Sequence, residues 1–592
     1  MKLLFIILFF NLGLTQCSYD IGDINQDGNL DIVDIIGMVD FVLSNNENAY
    51  ESIYDLNFNN IIDIVDIIAL VNRILSDNPV PSNFLMIDYN FQDLELIWES
   101  SKDEGFINYN IYYSDIISDE DALIYTTSDI LDTSIVIGNL NLKEQNWFKI
   151  GSVDFMGCEV LGNQFLYELP YLHYDIDSLG NVINHSFNLD DFNSAENCQG
   201  CHNVHYEEWS SSMHSYTAHS PLFFSYKEQT ASNHPDVGDK FCIQCHNPIA
   251  YLTNTDLSQY QTVEDFQSSD LPPVIKEGIS CDVCHTVTGL SQTVQTSNSG
   301  AASALYKLYP GQNIKFGPIE NPQSNGYHNS FYLPTYKVSE QCLPCHDLVV
   351  RGAESEITFT EWNRIPGFSM FGGISCQSCH MPEKEDGTHD HNFIGVDLDL
   401  AIPYLENPLF EKVSDMLESS VQMSFDVWGQ YLPESISSFD TLYIPIAIES
   451  LTAHSIPSGT SFNREAWIEV TVSNNDNIIY SSGLLNENSD ALDYDDNNLL
   501  LFKSYLLDAV GDTTHSVIDS HEIINNSLPA YSQRFKIYEF IIPENINGIL
   551  SVKARMLFRP FEPNFIINHH EEFLDNLPIF EMFSIQSDIE IE

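Results

Sequence analysis

The sequence predicts a multidomain chain: a small helical module on paired acidic loops, a β-sandwich, a cysteine- and histidine-rich segment of mainly irregular and α structure, and a C-terminal β-sandwich. Three observations predict it. An acidic segment near the N-terminus repeats with a 32-residue offset, two stretches alternate apolar and polar residues as half-buried strands do, and ten of the 12 cysteines share one recurring frame between those stretches. At 592 residues the chain exceeds what one hydrophobic core organises.

The N-terminus reads as an export signal over residues 1–17. Lys2 gives it a positive start, and Leu3 to Leu14 is mostly apolar but shorter than the roughly 20 residues of a membrane span. Cys17 stands where a lipidated N-terminus would begin, yet Gln16 occupies a place normally held by a small residue. No later segment is long and apolar enough to cross a bilayer, so no transmembrane segment is expected. The expected location is outside the cytoplasm: extracellular, cell surface or periplasm. With 86 acidic against 22 basic side chains, the formal charge is −64. Such a surface repels nucleic acid and anionic lipid and favours cations and basic partners; the same excess also serves solubility in a salty habitat.

In the repeat, Asp31-Ile-Val-Asp-Ile-Ile-Gly-Met-Val is echoed by Asp63-Ile-Val-Asp-Ile-Ile-Ala-Leu-Val. Before and into the first copy, Asp23, Asn25, Asp27, Asp31 and Asp34 occupy the oxygen-ligand positions of a calcium loop, with Gly28 at the sharp turn. The second loop offers Asp55, Asn57, Asn59, Asp63 and Asp66, with Asn60 in the glycine place, where Asn tolerates a left-handed backbone. Two calcium ions are the expected ligands. Ile32, Val33, Ile35, Ile36 and Val39 are spaced for one amphipathic helix after the loop. Neither loop has the entering helix of an EF-hand, and Asp replaces Glu at the last ligand position. Residues 20–78 thus resemble a dockerin module, which implies a cohesin-type receptor as partner.

Pro79 and Pro81 mark a linker. Over residues 83–168, Leu94–Trp98, Ile107–Tyr113 and Trp147–Asp154 alternate as strands and, with Gly157, resemble a fibronectin type III domain, a common spacer. Cys158, alone there, is expected to be a buried thiol.

Residues 171–400 carry the chemistry. Cys198/Cys201/His202, Cys242/Cys245/His246, Cys281/Cys284/His285, Cys342/Cys345/His346 and Cys376/Cys379/His380 form five Cys-x-x-Cys-His frames. Two thiols at this spacing add across the two vinyl groups of a haem, and the adjacent His binds its iron from one face. Structural zinc does not require His after every pair, and five strained local disulfides are disfavoured. The expectation is five covalent haems c, packed edge to edge and supplying much of that segment's core.

Each iron needs a sixth ligand, and ten histidines outside the frames lie between His173 and His454. Cys198-Gln-Gly-Cys-His-Asn-Val-His-Tyr-Glu-Glu-Trp-Ser-Ser-Ser-Met-His214 is similar to the first-haem signature of cytochrome c-554-like multihaem proteins. Gly278-Ile-Ser-Cys-Asp-Val-Cys-His, Gly373-Ile-Ser-Cys-Gln-Ser-Cys-His, Tyr327-His328 and His389-Asp-His391-Asn-Phe-Ile-Gly resemble later parts of the same pattern. The resemblance implies His214, His328 and His391 as distal ligands, with His205, His219 and His234 competing for another place. Five frames instead of four leave the haem order open.

Residues 405–430 read as a helical linker, with Leu409, Val413, Met416 and Leu417 on one face, and strands are expected over 441–592. Ala453-His454-Ser-Ile-Pro-Ser-Gly459 followed by Arg464 resembles the element that opens the β-domain of many multihaem cytochromes, and implies His454 as a further distal ligand. The function expected is an exported pentahaem c-type cytochrome carrying electrons between redox partner proteins, without catalytic residues of its own. The alternative is a multihaem oxidoreductase acting on a small nitrogen or sulfur compound at a five-coordinate haem. Pentahaem nitrite reductases carry Lys in their catalytic frame, whereas all five frames here end in His.

Overall fold

The computed structural model describes residues 22–27, 30–44, 52–56, 59–75, 81–89, 93–103, 105–114, 121–138, 145–154, 157–162, 164–169, 171, 175–176, 182–183, 187–235, 238–290, 306–320, 322–323, 325–365, 373–486 and 491–592. The signal-like segment 1–17 with Cys17, and Gly28 and Asn57 of the acidic loops, lie outside these residues. The chain divides into two compact units, 1–170 and 171–592.

In the first unit each acidic loop runs into a helix, α1 (Ile32–Leu43) and α2 (Ile64–Leu75). Asp31 caps α1 by accepting from the Val33 amide at 2.7 Å, and Asp34 accepts from the Asp31 amide at 2.8 Å. The same pair recurs 32 residues later, Asp63 accepting from Val65 at 2.7 Å and Asp66 from Asp63 at 2.8 Å. Each reciprocal pair satisfies amides that a helix start leaves without partners. Met38, Leu56 and Leu70 form the buried centre of the module. Asn60 adopts the left-handed backbone, φ +64°, that its place in the loop requires.

Strands β1 (Phe84–Tyr89), β2 (Asp93–Trp98), β3 (Phe106–Ser114), β4 (Ala122–Thr127), β5 (Ser134–Gly138), β6 (Gln145–Asp154), β7 (Glu159–Leu161) and β8 (Phe165–Glu168) follow. They make one sheet in the order β1-β2-β5 and another in the order β4-β3-β6-β7, with β8 also on β6. Leu94, Leu96, Trp98, Tyr109, Ile111, Phe148 and Ile150 alternate inward and are buried, as period-two patterning requires. Cys158 is buried.

The second unit has two differently built parts. From 187 to 400 the described elements are short: helices such as Asn203–Ser211, Pro221–Asn233 and Lys240–His246, and two-stranded ladders. An apolar cluster including Phe224, Ile249, Phe266, Ile275 and Val287 supports one side.

Beyond it, the expected helix over 405–430 is confined to α3 (Phe410–Glu418). Ser419 and Ser420 end it, Ser420 Oγ donating to the Leu417 carbonyl, and the chain then alternates as Val421-Gln-Met-Ser with burial in, out, in, out. That period fits a strand, so β structure begins at β9 (Val421–Ser424), not near 441. Strands β10 (Thr441–Ser450), β11 (Glu465–Asn474), β12 (Asn477–Ser482), β13 (Gln533–Ile541), β14 (Gly548–Arg559) and β15 (Phe580–Ile591) complete the frame. One sheet runs β9-β10-β13, and the other runs β15-β14-β11-β12 with Ser435–Ile436 on the outer side of β15. Between them lies a core of Leu442, Ile444, Ile446, Ile448, Val470, Val552, Ala554 and Met556, joined by Val413 and Leu417 of α3.

Candidate functional site

Each Cys-x-x-Cys-His frame lies on a helical turn. The His202 amide donates to the Cys198 carbonyl at 2.9 Å and the His346 amide to the Cys342 carbonyl at 3.1 Å. One turn brings residues three apart near one another, so the two thiols of a frame start from neighbouring positions. None of the described cysteines is in a disulfide.

The frames are not equally enclosed. Cys201 and Cys379 are exposed, whereas the other frame cysteines are half-buried. At Cys201 the reason is local. The helix carrying Cys198 (Ala195–Gln199) stops at Gly200, and Cys201 falls in the turn beyond, leading into the exposed residues His202, Asn203 and Val204. Cys198, at the other end of the frame, reaches inward to Cys281. The first frame therefore straddles the surface, and a binding role for Cys201 rests on its spacing from Cys198 and His202, not on burial.

Two frames are entered by the same device. In Gly278-Ile279-Ser-Cys281 the Ile279 carbonyl accepts from the Trp209 indole at 2.8 Å, and in Gly373-Ile374-Ser-Cys376 the Ile374 carbonyl accepts from the Trp362 indole, also at 2.8 Å. Gly278 has φ +70°, and a Cβ there would lie 3.0 Å from the His214 carbonyl and closer still to Thr217. Only glycine permits this approach, which lets the Ile279 amide donate to the His214 carbonyl at 3.2 Å. Thr217 in turn donates to the His246 carbonyl at 2.9 Å. The segment bearing His214 is thereby tied to two frames.

The imidazoles meet in pairs. His202 faces His328 with ring centroids 6.3 Å apart and planes 29° apart; His285 faces His391 at 6.4 Å and 19°; His346 faces His214 at 6.4 Å and 48°; His380 faces His454 at 6.3 Å and 17°. An iron bound between two imidazoles, with metal–nitrogen bonds of about 2 Å, needs ring centroids roughly 6.3 Å apart. The four pairs fit that requirement. His205 also lies 6.2 Å from His202, but three residues along the same helical segment, where no flat ligand could pass between them. Its other neighbours are His391, with rings 4.6 Å apart, and Glu208, and these three could gather a metal ion. His234 is drawn to Asp519, Nε2 to Oδ1 3.1 Å. Burial lowers the pKa of His219. His246 stacks on Phe223 at 4.5 Å, and no imidazole stands at ligand-pair separation from it among the described residues.

The outer nitrogens are oriented as metal ligation requires. Nδ1 of His285 lies 2.7 Å from the Phe316 carbonyl, that of His380 2.5 Å from the Ile394 carbonyl, and that of His391 2.8 Å from the His389 carbonyl. Donation from Nδ1 to a carbonyl leaves Nε2 as the free lone pair. Burial keeps these rings neutral, holding the pKa of His214 at about 3 and those of His246, His380 and His391 at about 4. His346 differs. Burial pulls its pKa down, but the carboxylate of Glu356, with Oε1 3.2 Å from Nδ1, outweighs that and leaves it raised to about 9.

Thiols of different frames lie near enough to interact: Cys198 with Cys281, Cys245 with Cys345, and Cys342 with Cys376. The fourth frame therefore adjoins both the second and the fifth. Trp362 and Glu356 were not singled out from sequence, and Trp209 entered only as part of the first-haem signature; nothing local marked the indole bonds or Glu356.

In the acidic loops Asp23, Asp34, Asp55 and Asp66 are buried. The Asp27 amide donates to Asp23 at 3.1 Å, and those of Asn59 and Asn60 donate to Asp55 at 3.2 and 2.8 Å. Asn25 Oδ1 accepts from the Asp27 amide at 2.9 Å. These hydrogen bonds fold each loop backbone around its own buried aspartate.

The frames and paired imidazoles define a class, the c-type multihaem cytochromes. Residues 197–286, spanning the first three frames, match the family described as cytochrome c554 and c-prime, which supports covalent haem c and a role in electron transfer. No curated protein matches the chain. Among solved structures, a penta-heme cytochrome c552 from Thermochromatium tepidum is similar at 18% identity and TM-score 0.47, covering 67% of this chain and 99% of that one. The sixth fibronectin type III domain of human fibronectin type III domain containing protein 3 is similar at 12% identity and TM-score 0.14, covering 16% of this chain and 89% of that domain. No helix among the described residues is long and apolar enough to cross a membrane.

Proposed function

We propose that this chain is an exported pentahaem c-type cytochrome that carries electrons between redox partner proteins at the cell surface or in the periplasm. The observation that carries the reading is the set of four imidazole pairs at 6.3–6.4 Å, each joining one frame histidine to one histidine from elsewhere in the chain. Bound haem would supply an iron that gains and loses one electron without bond making at the metal. The ten frame cysteines would anchor the five groups, Cys201 and Cys379 doing so from exposed positions. His202, His285, His346 and His380 would hold one face of their irons, and His328, His391, His214 and His454 the other. With both faces held by imidazole, no place is left for a substrate at those four centres. The nearness of the frames keeps neighbouring centres close, as transfer along a chain requires.

The second reading, an oxidoreductase at a five-coordinate haem acting on a small nitrogen or sulfur compound, is favoured by one observation: the absence of a paired imidazole opposite His246 among the described residues. Low-temperature electron paramagnetic resonance of the oxidised protein decides between them. Low-spin signals from every iron support the carrier. A high-spin signal that responds to nitrite or hydroxylamine, with turnover, replaces it by the enzyme.

We read residues 20–78 as a dockerin-like module with two calcium ions and a cohesin-type receptor, and 83–168 as a fibronectin type III-like spacer. The buried aspartates and the capping pairs repeated 32 residues apart support the first, and the three-strand and five-strand sheets the second. Residues 1–17 are read as the export signal. Calcium titration of the whole protein, followed by calorimetry, should show two sites; none at millimolar calcium rejects the module.

A further inference from the structure

The centre at the fourth frame differs from its neighbours in two respects. The Nδ1 atoms of His285 and His380 meet neutral backbone carbonyls, whereas that of His346 meets the carboxylate of Glu356 at 3.2 Å. The planes of His346 and His214 are also twisted by 48°, against 29° or less in the other three pairs. A second carboxylate lies at the third frame, but Asp282 is fully buried against Lys315, Nζ to Oδ1 2.6 Å, and that cation offsets its charge. Among the described residues Glu356 has no such cation; its ion pair is with His346 itself.

We propose that Glu356 is a positioning residue that sets potential: acting through His346, it makes the centre at Cys342/Cys345 the hardest of the four paired centres to reduce. This rests on the haem reading above. A carboxylate on Nδ1–H raises the basicity of the ligand imidazole, and its negative charge, little screened at a partly buried site, favours the more positive oxidised iron. Backbone carbonyls give the hydrogen bond without the charge. The position matters because the fourth frame adjoins both the second, through Cys345 and Cys245, and the fifth, through Cys342 and Cys376. A centre of low potential there is one that electrons pass and do not rest on, so it separates the charge held on its two sides.

The test is a spectropotentiometric titration of the wild-type protein and of Glu356→Gln, each with its haem number fixed by intact mass. Gln keeps an oxygen for the Nδ1–H and removes the charge. One haem's share of the absorbance change should move furthest to more positive potential in the variant, with smaller shifts at neighbouring centres such as that of His246 and the haem number unchanged. Unmoved midpoints at full haem number overturn the proposal. The wild type gives a second test that needs no variant. Twisted imidazole planes produce a more anisotropic low-spin resonance than near-parallel planes, so the most anisotropic signal should be the last to vanish on stepwise reduction. Its loss before the signals of the parallel pairs overturns the assignment. Failure of the haem reading itself looks different: haem missing from Cys342/Cys345 by mass, or a high-spin signal where a paired centre is expected.

Discussion

The β-domain that follows Val421 and the frame-bearing segment that precedes it are built on opposite principles. The β-domain has a continuous apolar core, with Leu442, Ile444, Ile446, Ile448, Val470, Val552, Ala554 and Met556 at 0% exposure between two sheets. Its strands reach ten to twelve residues, and the β14–β15 ladder alone pairs Gly548–Phe558 with Phe580–Ile591. The frame segment relies on helices of four to thirteen residues, too short to be stable alone. Its apolar cluster lies around the second and third frames, and polar bonds such as Tyr336 to the Cys284 carbonyl and the Cys376 amide to Ser339 tie frames in as well. The lesson is that one part carries its own driving force and the other borrows it from what its side chains are built to hold.

Withholding haem should affect the two parts most unequally. Chain matured without haem attachment should lose the helical circular dichroism of residues 187–400 and become open to limited proteolysis there, while 421–592 stays protected. Equal protection of both parts would show that the frame segment folds on its own. Next in size is Arg559→Ala. Arg559 and Glu465 are both at 0% exposure, the guanidinium donating from Nε to Oε2 at 2.6 Å, with Tyr494 also donating to Glu465 at 2.7 Å. Removing the cation leaves a buried carboxylate whose compensation is reduced to Lys503, 3.6 Å away, and should cost about 3–5 kcal/mol in denaturant unfolding of the β-domain. The haem spectrum of the folded variant should not change.

Among the described residues one imidazole pair joins these parts. His454 belongs to the β-domain and faces His380 of the fifth frame. His454→Ala should turn one low-spin centre high-spin without loss of covalent haem, because Cys376 and Cys379 remain. Domain stability should change less than for Arg559→Ala, since His454 is only partly buried.

Legibility followed the same divide. The frames were plain because their chemistry is local: two thiols and an imidazole must sit within five residues. Their burial was not, since the same spacing leaves Cys201 exposed and Cys284 half-buried. His214, His328, His391 and His454 came from resemblance, and each stands at ligand-pair distance from a different frame histidine. Their partners were not readable, since pairings such as His214 with His346 are set by tertiary folding across more than a hundred residues. The apolar face of α3 was legible, but its end was not: Met416 and Leu417 run into Ser419-Ser420 and then into a strand, and the change of period falls inside one apolar stretch. Glu356 was invisible because an acid on a short strand becomes special only through the ring it meets.

The smallest effect is expected inside the frame segment. Trp362 donates to the Ile374 carbonyl just before Cys376, as Trp209 donates to the Ile279 carbonyl just before Cys281. If the frames are held mainly by what their own side chains bind, these indole bonds only set the angle of entry. Trp362→Phe removes the donor while keeping an aromatic ring. Ile374 is 45% exposed, so its carbonyl can turn to water, and the net loss should be near the usual worth of one hydrogen bond, about 0.5–1.5 kcal/mol. The variant should keep every haem by mass and unfold at slightly lower denaturant. A loss of haem from the fifth frame would mean instead that the indole positions Cys376 for attachment, and that the polypeptide contributes more to this segment than its short helices suggest.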